Sequence, residues 1–572
     1  RKAKPQLPAR PLGLCMMIDG EAAFYLPWDA PAEARETVRS AVGAALAGED
    51  IRIACYDFKH VLRSLEEELG PLGALHAHSV LDVKLAAWVL DSGRADYGLD
   101  TILAVDGLAG TPAAVYQGEE AMEEAAFVWA FRDLRRCEQL AAALGQDMDD
   151  AEHHCMRSLE LPVSALLARM ERAGVAAQPS RLHQCQAAVA RRLQQLEERI
   201  RELAGEPSLN VMSTAQVAKV VYGSLHLSPG ACSLTPGGSL SVSEAALRKM
   251  LHLHPVPGLV LEYRSLHRMR SHYVDAVLTQ TTPEGRIHCD WNQTAVATGR
   301  LSSSKPNLQN LPKAALDVGA GEGQAVIDIR EAFAVGDGRM LVAADYRQLE
   351  LRILAHLSED ESLMDAFRGA EDIFRVMASR WLNKPLTAVS DEDRSAAKRL
   401  CYGITYGKGF HAIADDLAMP VELARQKHRQ FLLRFPGIEA FSRRVVDECY
   451  RAGFVRTMLG RKRHLPKIRS SHTAEAAQAR RQAVNSIVQG SAGDLVKTAM
   501  IKMDAALRAA GLCSCCIVLQ VHDELVLECD SDDLERTSVV LRSVMEHALH
   551  LRVPLPVVIK TGSSLGSLRA RL

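Results

Sequence analysis

The 572-residue sequence has no apolar run long enough to span a bilayer, so membrane insertion is not expected. It also lacks paired cysteine spacing. Its thirteen cysteines are scattered, and the closest cluster, Cys513, Cys515 and Cys516, has neither a second CxxC nor a His pair beside it. That argues against a disulfide framework and against a zinc site, and for reduced thiols in an intracellular protein. There is little net charge: the formal value is −2, so any nucleic-acid surface must be local. The chain begins at Arg1 with no initiator Met and no signal-peptide pattern. A fragment without its natural N-terminal region is therefore expected. What is present is the composition of a globular protein, 48% hydrophobic and 24% charged, in a chain too long for a single core.

The stretch that stands out is Leu341–Arg352, LVAADYRQLELR, where an apolar run of strand type ends in Asp345 and a helical pattern carrying Glu350 takes over. A carboxylate ending a buried strand needs a metal or a cation as partner. A second such place is Ile517–Cys529, IVLQVHDELVLEC, in which His522, Asp523 and Glu524 interrupt two apolar runs as a hairpin tip does. If the two meet in space, Asp345 and Asp523 form a divalent-metal site. The later strand Val557–Lys560 and helix Leu534–Leu549 complete a sheet covered by a helix.

From Arg1 to about Gly145 short strands and helices alternate, with strands at Leu14–Ile18, Ala23–Leu26 and Ile51–Cys55. Asp19-Gly-Glu21 has the D-x-E spacing of a metal-dependent exonuclease, but Asp-Gly between two strands is first of all a hairpin turn, the favoured reading. Helices follow at Glu152–Val175, at Ser180–Leu203 (a mixed-charge, solvated arm), at Ser213–Leu225, at Ser243–His252 and at Leu259–Leu278. The last carries the basic stripe Arg264, His267, Arg268, Arg270 and His272. Trp291–Pro312 is dense in amides and hydroxyls with Arg300 and Lys305, residue types that suit phosphate and minor-groove contacts as well as a plain surface loop. Ala314–Ala325 is a Gly- and Ala-rich excursion.

Two helical stripes come next. Ser390 caps Ser390–Tyr406 with Asp393 in capping-box position, and Arg394, Lys398 and Tyr402 follow at i, i+4, i+8 on one face. Two cations and an aromatic ring suit a triphosphate and a base, or merely an exposed cationic face. In Thr473–Leu507, a helical region expected to break near Gly490, Arg481, Asn485 and Gln489 recur at the same spacing among apolar residues. Such amides need buried partners or a ligand. The preceding Gly460-Arg-Lys-Arg463, with Lys467 and Arg469, reads as a basic loop for a phosphate backbone.

DYRQLELR (Asp345–Arg352), RSAAKRLCYGITYG (Arg394–Gly407) and QVHDE (Gln520–Glu524) resemble, in order and spacing, the three signature motifs of family A DNA polymerases, the bacterial DNA polymerase I class. TGRLSS, PNLQNLP, GRKRHLP and RQAVNSIVQGSAGDL are similar to that family too, and the similarity runs from about Leu161 to Lys560. Leu253–Leu278, WNQTAVATGRLS, Asp372-Ile-Phe-Arg375 and Cys401-Tyr-Gly resemble most the eukaryotic theta and nu branch.

The resemblance implies an α/β multidomain right hand with an N-terminal RNase H-like, exonuclease-type domain. The degenerate exonuclease-like part would take residues 1–155, a thumb 156–290, the palm 291–355 and 501–572, and the fingers with connecting palm helices 356–500. It implies attack of a primer 3′-OH on a dNTP, with Mg²⁺ (two ions, or Mn²⁺) held by Asp345, Asp523 and the Tyr346 carbonyl, and Glu524 as an accessory carboxylate. Arg394 and Lys398 would clamp the triphosphate, Lys398 also donating a proton to the departing pyrophosphate. Tyr402 would stack on the nucleotide, Glu350 would exclude a ribose 2′-OH, and Tyr406 would lie under the template base. Arg300, Arg481, Asn485, Gln489, Gln520 and His522 would contact primer-template DNA, the chain acting as a monomer on it. The eukaryotic branch implies DNA repair or translesion synthesis in the nucleus, an organelle being the alternative.

Three departures from the family's pattern bear on this. Phe374 stands where bacterial members have a His on the triphosphate. The N-terminal part begins beyond the family's first D-x-E, and Asp57 and Asp133 lack the other carboxylates, so no proofreading is expected. Thr561–Leu572 lacks the Trp usual near the end of these chains. The competing readings are a catalytically inactive DNA-binding scaffold, opposed by Asp345, Asp523 and Lys398, and a single-subunit RNA polymerase relative, opposed by Glu350.

Overall fold

The structure is a computed structural model and describes residues 13–18, 22–27, 32–47, 53–69, 80–105, 137, 139–228, 240–312, 316–317, 326–369 and 371–570. At its centre lies a five-stranded antiparallel sheet: β1 (Arg339–Tyr346), β2 (Cys516–Val521), β3 (Glu524–Asp530), β4 (Val557–Gly562) and β5 (Arg569–Ala570), in the order β2-β3-β1-β4-β5. β1 is the central strand because it is apolar on both faces: Leu341, Val342, Ala343 and Ala344 are all buried. It pairs with β3 from Arg339↔Asp530 to Asp345↔Glu524 and with β4 from Leu341↔Gly562 to Tyr346↔Val557. Hence the strand that ends in Asp345 and the hairpin that carries Asp523 are adjacent, as the two apolar runs predicted.

Helices cover this sheet. α1 (Leu161–Ala173) packs against β2, and α6 (Leu534–Glu546) lies over β1 and β4. α3 (Leu349–Ser358) leaves β1 through left-handed Gln348, φ 48°, and buries seven consecutive residues from Leu349 to Ala355. α4 (Asp391–Thr405) begins with the expected capping box, the Ser390 side chain accepting from the Asp393 N–H and the Asp393 carboxylate from the Ser390 N–H.

α2 (Pro179–Ala204) is not the solvated arm its charges suggested. It buries Leu182, Val189, Leu193, Leu196, Ile200 and Ala204, a helical stripe against the Pro255–Met269 helix, while Arg192 reaches Glu262 at 2.8 Å. The basic stripe on Pro255–Met269 and beyond is partly spent inside the fold: Arg264 donates to the Val242 carbonyl at 2.6 Å, and Arg270 lies 3.4 Å from Asp275.

α5 (Thr473–Ala509) runs unbroken for 37 residues, so the expected break at Gly490 is absent. The glycine serves close packing instead. A Cβ there would lie 2.5 Å from Thr457 Cγ2 and 3.2 Å from the Thr298 carbonyl, so the helix and the loop before Arg300 approach only because the side chain is missing.

In the N-terminal part, Gly13–Ile18 and Ala22–Pro27 pair as an antiparallel hairpin, and Ile53–Cys55 and Val80–Asp82 pair in parallel. Asp19, Glu21 and Asp133 lie outside the described residues, as does most of Ala314–Ala325. A buried cluster from Leu46 to Ala168, Trp88 among its members, joins this part to Leu161, Ala165 and Ala168 of α1. Among the described residues no helix is long and apolar enough to cross a membrane.

Replacing Gly490 by Val is expected to lower stability by about 1–3 kcal/mol through overpacking, read as a lowered urea midpoint. An unchanged midpoint would show that Thr457 and Thr298 yield freely.

Candidate nucleotidyl-transfer site

The β1/β3 register delivers the carboxylates. Asp345 faces Glu524 across the seam, and the Tyr346 N–H donates to the Asp523 carbonyl at 3.3 Å, so the ladder runs one bond beyond its last pair and seats the hairpin tip. His522, at φ 54°, makes the turn and is exposed. The Tyr346 ring points away from the tip and is buried, its hydroxyl donating to the Met545 carbonyl at 2.7 Å.

Around this tip the charges interlock. Burial pushes the Asp523 carboxyl up to about 6; Arg300, 3.8 Å away, opposes the rise, and Glu350 and Asp345 reinforce it. Arg300 also donates to Glu350, whose other oxygen accepts from the Tyr406 hydroxyl. Tyr406 stacks on Tyr402 with centroids 5.9 Å apart and planes at 13°. Lys560 lies 2.8 Å from Glu524 and 3.8 Å from Asp345. Lys560 was missed in the sequence, where it is a lone cation within an apolar strand.

The α4 stripe comes near this site at Tyr402, whose ring stacks on Tyr406. Arg394 is bidentate to Asp372 at 3.0 and 2.8 Å, and its guanidinium and the Lys398 ammonium each lie 5.7 Å from the Phe374 ring, which in turn contacts Tyr402 at 5.9 Å. Phe374 is thus an aromatic platform under both cations. Arg394 comes to a ligand only by exchanging Asp372.

The α5 stripe meets α4 from the other side. Asn485 donates to the Tyr406 carbonyl at 3.3 Å, its Oδ1 is buried without a partner among the described residues, and the Arg481 stem packs where a Cβ on Gly407 would sit. Gln489 is half-buried one turn on. Gln520 is buried and accepts from Gln309 at 3.0 Å, a residue the sequence showed only as part of PNLQNLP. Arg300, Gln309, Gln520, His522 and Asp523 line one pocket, and Asp345, Glu524 and Lys560 line the next.

The basic loop is a correction. Arg461 is buried and bound to Glu160 and Asp494, Lys462 reaches Glu152 at 2.8 Å, Lys467 reaches Glu475 at 2.9 Å, and Arg469 donates to the Tyr450 and Arg451 carbonyls. Arg461 and Lys462 are thus spent inside the fold, whereas Lys467 and Arg469 stay exposed despite their contacts.

The profile described as DNA polymerase family A matches residues 179–567. The chain belongs to DNA polymerase family A. The DNA polymerase I of Chloroflexus aurantiacus is 38% identical over 437 residues, 76% of this chain and 45% of that protein. The thermostable DNA polymerase I of Thermus aquaticus is 39% identical over 407 residues, 71% of this chain and 47% of that one, and the DNA polymerase I of Pseudomonas aeruginosa 34% identical over 496 residues, 84% and 53%. The chain spans about half the length of these curated relatives. Among solved structures, the POL domain of Pol1 from M. smegmatis, in complex with DNA primer-template and dNTP, superposes with a TM-score of 0.83 at 32% identity, covering 96% of this chain and 91% of that one. The fold of this family A chain is accordingly a palm, fingers and thumb.

Asp345, Asp523 and the Tyr346 carbonyl supply hard oxygen donors of the kind Mg²⁺ takes, and Asp523 is a half-buried carboxylate with two more acids near it. The residues therefore fit a divalent metal.

Because the Asp523 carboxyl titrates near 6 when folded and at 3.8 when exposed, the native state binds its proton more tightly, and the ionised group costs stability at neutral pH. Asp523→Asn is therefore expected to raise stability by about 1–2 kcal/mol at pH 7.5. The gain should shrink as pH falls through 6 and vanish below about 4. Urea denaturation at several pH values checks this; equal stability of the two proteins at pH 7.5 would contradict it.

Proposed function

We propose that this chain is a template-directed DNA polymerase that adds dNTPs to a primer 3′-OH. The observation that carries the reading is the meeting of Asp345 and Asp523 at one end of the β1/β3 seam, with Tyr402 of α4 close enough to feel the Asp523 and Glu350 charges. Mg²⁺ held by Asp345, Asp523 and the Tyr346 carbonyl would lower the pKa of the attacking hydroxyl and neutralise charge on the leaving pyrophosphate.

The chain's own residues do the rest. Lys398, held above Phe374, meets the triphosphate and gives its proton to the departing pyrophosphate; Arg394 joins by leaving Asp372. Tyr402 presents its ring to the base and sugar. Glu350, fixed between Arg300 and Tyr406, fills the space a 2′-OH needs and so selects dNTP over NTP. Arg481, Asn485, Gln489, Gln520 and His522 read the shape of the primer-template, while base pairing reads its sequence. Glu524, paired to Lys560, serves as the accessory carboxylate.

The family's finer division belongs to the same proposal. The sequence motifs at Leu253–Leu278 and Trp291–Ser302, with Phe374, favour the theta and nu branch, and with it repair or translesion synthesis in the nucleus by a monomer on DNA. Absence of proofreading is supported by how the described N-terminal acids are used. Asp57 is tied to Lys84 at 2.5 Å, and Asp82 accepts the N–H groups of Asp57, Phe58, Lys84 and Leu85, capping a helix instead of facing a strand end.

Primer extension tests the reading. Wild type should extend a primed template with dNTPs and Mg²⁺, and Asp523→Asn should lose ~10³-fold or more, the loss of ~4 kcal/mol expected when transition-state charge stabilisation goes. No extension by either returns the chain to the inactive-scaffold reading, and equal extension by both removes Asp523 from the catalytic site. A mispaired, 5′-labelled primer kept with Mg²⁺ and no dNTPs should stay at full length; shortening that persists in Asp523→Asn would show a nuclease in the N-terminal part.

A further inference from the structure

Behind the loop that runs from Gln293 to Arg300 lie four charged side chains withdrawn from solvent: Glu160, Asp494, Arg461 and Lys497, each at most 2% exposed. Arg461 bonds Glu160, and its Nε and Nη2 reach Asp494 at 3.0 and 2.7 Å; Lys497 bonds both Glu160 oxygens at 2.7 and 2.9 Å. Two acids and two bases balance. Such a cluster survives only if its geometry is held and water is kept out.

The roof is Trp88, from the helix Val83–Leu90 of the N-terminal part, fully buried, with Arg461 Cζ 4.8 Å and Lys497 Nζ 5.3 Å from its ring centroid. Its Nε1 has no hydrogen-bond partner among the described residues, and what the indole offers the cluster is its face.

The cluster grips both ends of the loop that leads to Arg300. At the near end, Gln293, itself buried, donates to the Glu160 carboxylate at 2.7 Å and to its carbonyl at 3.0 Å. At the far end, Gly299, at φ +85°, rests directly on the Arg461 guanidinium: a Cβ there would lie 2.5 Å from Nε. The next residue is Arg300, which bonds Glu350 and stands 3.8 Å from Asp523.

We propose that Trp88 is a positioning residue for nucleotide selection: its ring seals the buried charge cluster, which holds Arg461 under Gly299 and thereby keeps Arg300 against Glu350. The inference rests on reading Glu350 as the sugar filter. It gives the N-terminal part a function that needs no nuclease chemistry. Without the ring, water screens the pairs, Arg461 gains room, and the Gly299–Arg300 step loses its seat.

The test compares kcat and KM for dATP and ATP in wild type, Trp88→Phe, Trp88→Leu and Gln293→Met, with urea midpoints alongside. In Trp88→Leu and Gln293→Met, discrimination against ATP should fall about tenfold or more, since misplacement of order 1 Å at a reacting site costs up to ~10²-fold. Trp88→Phe, which keeps a π face, should restore most of it. A merely structural role would lower the midpoint and leave discrimination unchanged, and that result in a folded variant overturns the proposal. If Trp88→Leu does not fold, Gln293→Met decides by the same criterion. A wild type that incorporates ATP as readily as dATP removes the filter reading and the inference with it; a discriminating wild type with unaltered variants removes the inference alone.

Discussion

The pairing of β1 with β3 is the constraint on which the site depends. Side chains alternate across a strand with period two, so a slip of one residue would turn Asp345 to the opposite face. The slip is prevented by apolar side chains on both faces: Leu341 to Ala344 on β1 and Leu525 to Leu527 on β3 are all buried. The Tyr346 N–H bond to the Asp523 carbonyl then carries the register past the last pair, to the residue that matters. Two acids 178 positions apart in sequence are thereby fixed by backbone geometry and core packing.

Holding acids together has a cost, and the neighbouring residues offset it in a graded way. Glu524 has Lys560, Glu350 has Arg300 and Tyr406, and Asp523 has, among the described residues, only the more distant Arg300. Charge at the tip is therefore under-compensated at the position where cations from solution are needed. Further back the opposite principle operates: Glu160, Asp494, Arg461 and Lys497 are charge-balanced, ion-paired and buried, which suits a part that must not move. The functional surface and its support are built from the same residue types and differ in how completely they are satisfied.

Much of this was legible in the sequence where the controlling interactions are local. A strand-terminal Asp, a hairpin tip, the Ser390–Asp393 capping box and the Arg394–Lys398–Tyr402 stripe each follow from periodicity over a few residues, and all stand as expected. What failed was set by distant partners. Gly490 looked like a helix break, yet the absence of a Cβ is required by Thr457 and Thr298 from other elements. Arg461 looked like a phosphate contact, yet its partners lie 33 and 301 positions away. The solvated look of α2 hid an apolar stripe whose partner helix begins at Pro255. Charge type can be read from sequence; whether a charge is spent inside the fold cannot, because that depends on which element packs over it.

The central claim is that the β1/β3 register builds a divalent-metal site from Asp345 and Asp523. Anomalous scattering from a crystal of the chain with primer-template, a non-hydrolysable dNTP analogue and Mn²⁺ tests it most directly. The account predicts two peaks ~3.5–4 Å apart, touching both aspartates. Peaks placed elsewhere, or none within coordination distance of Asp345 and Asp523, would contradict it.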